Sequence, residues 1–281
     1  MRETIDSIKT SELSILSFSA VAGRTLIAPI DVVRTTRQSL RPSLQRSLSS
    51  LWINGGFKGL FRGNLMGCSR DLLFIHLIRH FYGKISSNSD TLHKSGGFEG
   101  LLSVVYTGLL ATVVTQPLDF AKTRLQCQSM TKNNRLYIDV FHLYSSTIKS
   151  EGFSRLFSGS FPAGFSLVTY VGFLTVIFNA LENFESLDRR DALLISIIGA
   201  RTVTYPFDTI KVRMQVQHMM PDKLDLKVVA NAKKTAIRIF HQYGLLGFFR
   251  GLPLALVSIV PLFVLQSALI PQEEKFRDAI T

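Results

Sequence analysis

Six apolar stretches separated by polar connections order this chain: Leu13 to Gln38, Gly63 to about Ser86, Phe98 to Gln128, Gly159 to Asn183, Asp191 to Gln217, and Gly251 to about Ile270, the last ended by Pro271. At roughly 20 to 31 residues, each is long enough to cross a bilayer once tilt and kinks are allowed for. Charges interrupt them. Arg24, Asp31 and Arg34 exclude a lipid-facing position for one side of the first stretch, so that face must turn toward a wet interior. Small residues (Ser17, Ser19, Ala20, Ala22, Gly23) dot the same stretch and let neighbouring helices approach closely. Pro29 falls well inside it and predicts a kink. Within alternate connections, Leu44–Ile53, Ile138–Lys149 and Leu226–Gln242 carry the periodicity of short amphipathic surface helices.

One pattern occurs three times. Pro29-Ile30-Asp31-Val32-Val33-Arg34 with Gln38, Pro117-Leu118-Asp119-Phe120-Ala121-Lys122 with Gln126, and Pro206-Phe207-Asp208-Thr209-Ile210-Lys211 with Gln215 share an acid, a base and a glutamine at the same offsets. The prolines are 88 and 89 residues apart, and near-equal spacing of three copies marks one unit written three times. Each copy is followed by a glycine-bounded turn: Gly56 to Arg62-Gly63, Gly152 to Ser158-Gly159, and Gly244 to Arg250-Gly251. Polar linkers at Asn88–Gly97 and Glu182–Asp191 divide the chain into repeats of 1–90, 91–187 and 188–281. The predicted architecture is an all-α membrane protein with six transmembrane helices in three pseudo-symmetric repeats, each holding one short surface helix.

Composition refines this picture. The chain has 281 residues, is 46% hydrophobic, and carries a net charge of +12. The basic residues are spread over loops and apolar helices, without a basic groove module or zinc spacing, so no nucleic-acid partner is expected. The connections inside the repeats are the basic ones, which places them in the inner compartment and both termini on the other side. The two cysteines, Cys68 and Cys127, do not suggest a disulfide scaffold. The N-terminus has neither a signal-peptide core nor a long Arg-rich presequence, so any organelle address is expected to be internal. No nucleophile–base pair, metal cluster or nucleotide loop stands out, and neither an enzyme nor a cofactor is expected. His76 and His80 lie at i, i+4 without a third ligand and read as plain helix residues.

Together these features resemble the mitochondrial carrier family, and the likeness covers nearly the whole chain. The first half of the family's signature is met three times. The second half is looser: Gly55 and Tyr243 stand where an acid normally precedes the glycine, Glu151 is regular, and Ser158 replaces the base. The resemblance implies a monomer in the mitochondrial inner membrane, with both termini on the intermembrane-space side, that exchanges solutes by alternating access. It also implies cardiolipin at the turns Gly56, Arg62, Gly63, Gly152, Gly159, Arg250 and Gly251, where helix N-termini suit lipid phosphates. An acid and a base three apart share a helix face, so three such helices can close a matrix gate through Asp31–Lys122, Asp119–Lys211 and Asp208–Arg34. Gln38, Gln126 and Gln215 would brace these pairs.

Repeat symmetry and the family's contact points put Arg24, Thr112 and Arg201 (five before each proline) and Arg70, Ser166, Leu167 and Ser258 at the cargo site. Arginine forks suit phosphates and carboxylates, so a small anionic, phosphorylated substrate is expected. The segments around Arg24, Arg201 and Ala255–Pro261 look most like thiamine pyrophosphate carriers, whereas Arg70 is closer to nucleotide and coenzyme A carriers. On the outer side, the family's acid–base pairs are missing at Tyr82…Ser86, Phe178…Glu182 and Leu269…Glu273. That loss predicts a weak outer latch and a preference for the outward-open state. It also leaves an alternative open, a carrier-fold adaptor or outer-membrane component that no longer transports.

Overall fold

A computed structural model describes residues 2–40, 44–87, 98–128, 137–182, 188–219 and 231–278. Among these the chain is helical, with nine α-helices in order: α1 (Arg2–Leu40), α2 (Leu44–Gly59), α3 (Asn64–Ser87), α4 (Phe98–Cys127), α5 (Val140–Glu151), α6 (Ser160–Glu182), α7 (Arg189–Val216), α8 (Ala232–Tyr243) and α9 (Leu252–Asp278). The six long helices form a closed ring in which α1 packs on α3, α3 on α4, α4 on α6, α6 on α7, α7 on α9, and α9 back on α1. Such a ring lets every spanning helix turn one face to a shared interior and another to lipid. The outward faces carry Phe18, Leu26, Leu65 and Val176, each more than half exposed, as a bilayer-facing surface requires.

Four segments (Leu16–Ser39, Gly100–Cys127, Phe153–Glu182 and Leu245–Leu265) are long and apolar enough to span by composition alone. The other two expected spans, α3 and α7, have the length but not the apolarity. Arg70, Asp71 and Arg79 interrupt α3, and Arg201, Asp208, Lys211 and Arg213 interrupt α7. The charges of Arg70, Asp71, Arg201, Asp208 and Lys211 are turned inward, so the ring carries what an isolated helix could not. Small residues sit at helix crossings as expected: a Cβ on Gly23 of α1 would meet Leu262 of α9 at 2.6 Å.

Pro29, Pro117 and Pro206 all lie inside continuous helices, α1, α4 and α7. A helix tolerates this when neighbours re-satisfy its carbonyls. Beside the second of these prolines, the Tyr144 hydroxyl of α5 donates to the carbonyl of Pro117 itself, 3.1 Å away. The surface helices differ in extent from the periodicity. α5 starts at Val140 because Asp139 adopts an extended backbone and its carboxylate accepts the His142 N–H at 2.6 Å, an N-cap that fixes the start. α2 runs on to Gly59, although Gly56, at φ 54°, breaks its regular geometry. The linker at 88–97, half of the second boundary (183–187) and the first part of the expected helix at Leu226–Gln242 lie outside the described residues.

The glycine ending each turn has a packing role that only the assembled ring reveals. Gly63, Gly159 and Gly251 have φ of 73°, 88° and 92°, a region costly for any residue with a Cβ. Each also abuts the next repeat's helix at the carbonyl of the base in its repeated motif. A Cβ would meet the Lys122 oxygen at 2.9 Å from Gly63, the Lys211 oxygen at 3.3 Å from Gly159, and the Arg34 oxygen at 3.4 Å from Gly251. Gly63→Ala is therefore expected to destabilise the protein by about 2 kcal/mol or more, combining backbone strain with the clash. A lowered thermal unfolding midpoint in detergent would register it, and an unchanged midpoint would show that the turn can relax.

Candidate functional site

The three signature helices bring their acids together at one end of the interior. Asp31, almost fully buried, lies 2.7 Å from Lys122 Nζ, and Asp119 lies 2.7 Å from Lys211 Nζ. The glutamines support both pairs: Gln126 Nε2 donates to Asp31 at 3.2 Å and Gln215 Nε2 to Asp119 at 3.0 Å. Two arms of the expected ring are thus present with their braces.

The third arm is not. Asp208 and Arg34 do not pair. Arg34 instead turns to Asp31 on its own helix at 2.6 Å, and Asp208 takes Arg201 at 3.2 Å and the Ser166 hydroxyl at 3.0 Å. The cause is competition between partners of equal chemistry. Arg34 and Asp31 are three apart on one face, and Arg201 stands two turns from Asp208, so both find a local partner without crossing the axis. Gln38 follows the same departure, hydrogen-bonding Tyr205 rather than an acid. Tyr205 in turn donates to the Arg250 carbonyl at 3.1 Å, as Gln116 donates to the Ser158 carbonyl at 2.9 Å in the second repeat.

Beyond the acids lies a cavity of about 450 Å³, of the size that small-molecule sites occupy. Arg24, Arg70, Thr112, Ser166, Leu167, Arg201 and Ser258, the residues picked out from repeat symmetry and resemblance, all line it. Tyr170 joins them. Phe74 does not, and lies instead under the Arg70 guanidinium, 5.4 Å from ring centre to Cζ. The hydroxyls of Thr112 and Ser258 donate to backbone carbonyls of their own helices, at 2.8 and 2.6 Å. The charged side chains therefore dominate the cavity's chemistry.

None of the three arginines stands without a carboxylate. Arg24 grips Asp71 through Nε at 2.9 Å and Nη2 at 3.3 Å and also reaches Asp31 at 3.5 Å. Arg70 reaches the same Asp71 at 2.9 Å and Asp119 at 3.9 Å. Gly67 makes room for this cluster, since a Cβ there would meet Arg24 Nε at 3.1 Å. The sequence marks Asp71 as the one acid near the arginines. What it does not show is that Asp71 bridges two of them.

Another buried cation escapes the motif reading altogether. Arg124, fully buried beside Phe120, forks both oxygens of Glu151 at 2.7 Å and donates from Nε to the Gln215 carbonyl. Arg155 adds a third contact to Glu151 at 3.0 Å. The signal is the arginine seven after Pro117, with the acid just before Gly152. In the third repeat the corresponding arginine is Arg213 and the acid is replaced by Tyr243, whose ring lies near two guanidinium groups, Arg213 at 5.4 Å and Arg250 at 5.3 Å. Arg213 Nη2 is buried there without a hydrogen-bond partner. Tyr243→Glu is expected to stabilise the protein by about 1 kcal/mol by giving Arg213 a carboxylate. The check is a raised unfolding midpoint, and a lowered one would mean that the aromatic contacts outweigh the missing ion pair.

A model of the mitochondrial carrier proteins matches residues 10–86, 94–186 and 192–276, one repeat at a time. The chain belongs to the mitochondrial carrier family. Family membership makes it a multi-pass protein of the mitochondrial inner membrane, built of three repeats around a common axis. Among its relatives, it is 27% identical to solute carrier family 25 member 43 of Mus musculus, across 76% of this chain and 65% of that protein. It is 27% identical to mitochondrial thiamine pyrophosphate carrier 1 of Scheffersomyces stipitis, across 90% and 88% of the two chains. It is also 27% identical to the adenine nucleotide transporter BT1 of Arabidopsis thaliana, across 90% and 67%.

The turns thought to hold lipid differ from one another in this carrier. Gly159 opens α6 after Ser158, whose hydroxyl donates inward to the Met214 carbonyl at 3.3 Å, while Arg250 before Gly251 is exposed. On the outer side, Glu182 is half exposed and lies 3.9 Å from Arg189. The side chains of Tyr82 to Ser86 and of Leu269, Ile270 and Glu273 lie outside the described residues.

Proposed function

We propose that this carrier moves a phosphorylated anionic metabolite or cofactor across the mitochondrial inner membrane by alternating access, in exchange for a second anion. The observation that carries the reading is the convergence of Arg24, Arg70 and Arg201 on one cavity whose closed end is made by the Asp31 and Asp119 ion pairs. Guanidinium groups aimed into a site within the membrane interior suit phosphate oxygens, which they can grip with paired hydrogen bonds. The names of the thiamine pyrophosphate and adenine nucleotide relatives point to the same chemistry. Cardiolipin at the three glycine turns and a monomeric working unit complete the proposal, with the Ser158 turn as the weakest lipid site. Breaking the Asp31–Lys122 and Asp119–Lys211 pairs would open the matrix end, and both chain termini would face the intermembrane space.

Uptake into cardiolipin-containing liposomes tests this with purified protein and labelled thiamine pyrophosphate, adenine nucleotides, coenzyme A and a dicarboxylate. Saturable uptake of one phosphorylated compound, accelerated by the same compound inside the vesicles, is the expected result. Uptake confined to the dicarboxylate would overturn the cargo class. Flat traces from folded protein would favour a non-transporting adaptor, a role that the missing Asp208–Arg34 arm also suits.

A further inference from the structure

The geometry points to Asp71 as a resident counter-anion that sets how much negative charge the cavity accepts. The inference rests on the reading of that cavity as an anion site. Threefold symmetry gives no reason for an acid here. The positions eight after the turn glycines Gly63, Gly159 and Gly251 are Asp71, Leu167 and Ile259, and the other two are apolar and line the cavity. Only the first repeat places a carboxylate there, and it sits directly on two of the four arginines that line the cavity.

The contacts show which donors that carboxylate occupies. Asp71 Oδ1 accepts from Arg24 Nη2 at 3.3 Å and from Arg70 Nη1 at 2.9 Å, and Oδ2 stands 2.9 Å from Arg24 Nε in an ion-pair contact that is not a hydrogen bond. These are the donors a phosphate would use. A cargo must displace Asp71 from them or share them with it. A singly charged carboxylate would exchange like for like and gain little, whereas a phosphate chain brings more charge and more acceptor oxygens to the same donors.

Charge sets the scale of the effect. The basic side chains lining the cavity are Arg24, Arg34, Arg70, Lys122, Arg201 and Lys211, and the lining acids are Asp31, Asp119 and Asp208. That is a surplus of three positive charges, which Asp71 lowers to two. Within the membrane interior an uncompensated charge is costly, so the best cargo is the one that restores the balance. With Asp71 in place, that is an anion of about two negative charges, such as an organic diphosphate. Without its charge, the optimum moves one unit toward triphosphate-like anions.

The experiment measures binding of inorganic pyrophosphate, inorganic tripolyphosphate and succinate to the purified full chain, through the ligand-dependent rise in its unfolding temperature. Wild type is compared with Asp71→Asn, an isosteric change that keeps an acceptor for Arg24. Asp71→Ser removes the same charge should the amide prove poorly folded. The expected result is tighter binding of both phosphates and an affinity ratio of tripolyphosphate to pyrophosphate raised about tenfold, as one added unit of charge near the ligand would produce. An unchanged ratio overturns the inference. So does weaker binding of every anion, which would make Asp71 a residue that merely positions the arginines. Should wild type itself respond to neither phosphate, the anion-site reading fails and the inference falls with it, a result distinct from a wild type that binds but a variant that does not shift.

Discussion

Uptake by Arg201→Ala is expected to fall by about 100-fold at low cargo concentration, corresponding to the loss of one or two charge-assisted hydrogen bonds to a phosphate. Of the cavity arginines, Arg201 is the most exposed, at 31%, and its ion pair is with Asp208 alone, at 3.2 Å. It is therefore the guanidinium most available to a cargo and the one whose removal disturbs the resting structure least. Arg24→Ala is expected to abolish uptake as well, but by two routes, because it also strips a partner from Asp71 and from the buried Asp31. The two variants separate in a melting curve, where Arg201→Ala remains near wild type and Arg24→Ala falls clearly below it. Arg201→Lys keeps the charge and loses the fork, and a drop of about tenfold is expected. Initial rates in liposomes with matched protein content provide the check. An Arg201→Ala carrier with wild-type rates would remove Arg201 from the cargo site.

Asp31→Asn is expected to destabilise the carrier by about 3–5 kcal/mol, the cost of leaving buried cations without their anion. Asp31 is the hub of the closed end: Arg34 at 2.6 Å, Lys122 at 2.7 Å, Arg24 at 3.5 Å and Gln126 at 3.2 Å all depend on it. Asp208 holds the symmetric position in sequence but engages Arg201 and Ser166, with its side chain 19% exposed against 3% for Asp31. Asp208→Asn is accordingly expected to cost only about 1 kcal/mol. A ring with three equal arms would give equal losses. The structure implies a ranking, Asp31 first and Asp208 last, that unfolding midpoints of the three Asp→Asn variants measure directly. Equal midpoints would show that Asp208 and Arg34 do pair in the membrane.

Much of this protein is legible before any coordinates. Apolar stretches of membrane length, three prolines 88 and 89 residues apart and the repeated acid, base and glutamine are local or periodic features, and they determine six spans in three repeats and the family. Three of the cavity residues were legible for the same reason, while Arg70, Ser166, Leu167 and Ser258 followed from the family resemblance. Once three copies are aligned, five positions before a proline is the same height on three helices, and Arg24, Thr112 and Arg201 indeed share one cavity.

What the sequence could not determine is which partner a charged side chain takes when several lie within reach. Arg34 had Asp208 by symmetry and Asp31 by proximity, and the short intrahelical contact won. Asp71 is visible as an acid beside Arg70, but its grip on Arg24 depends on Gly67 leaving α3 bare at that point. The packing of Gly63, Gly159 and Gly251 on the Lys122, Lys211 and Arg34 carbonyls of the next repeat likewise exists only after the ring closes. Sequence determined the helices, their faces and their threefold register, because those follow from spacing along one chain. Tertiary structure alone decided the ion pairs, because at a few ångströms of separation the choice among equal charges turns on side-chain reach and backbone clearance, and neither is encoded in spacing.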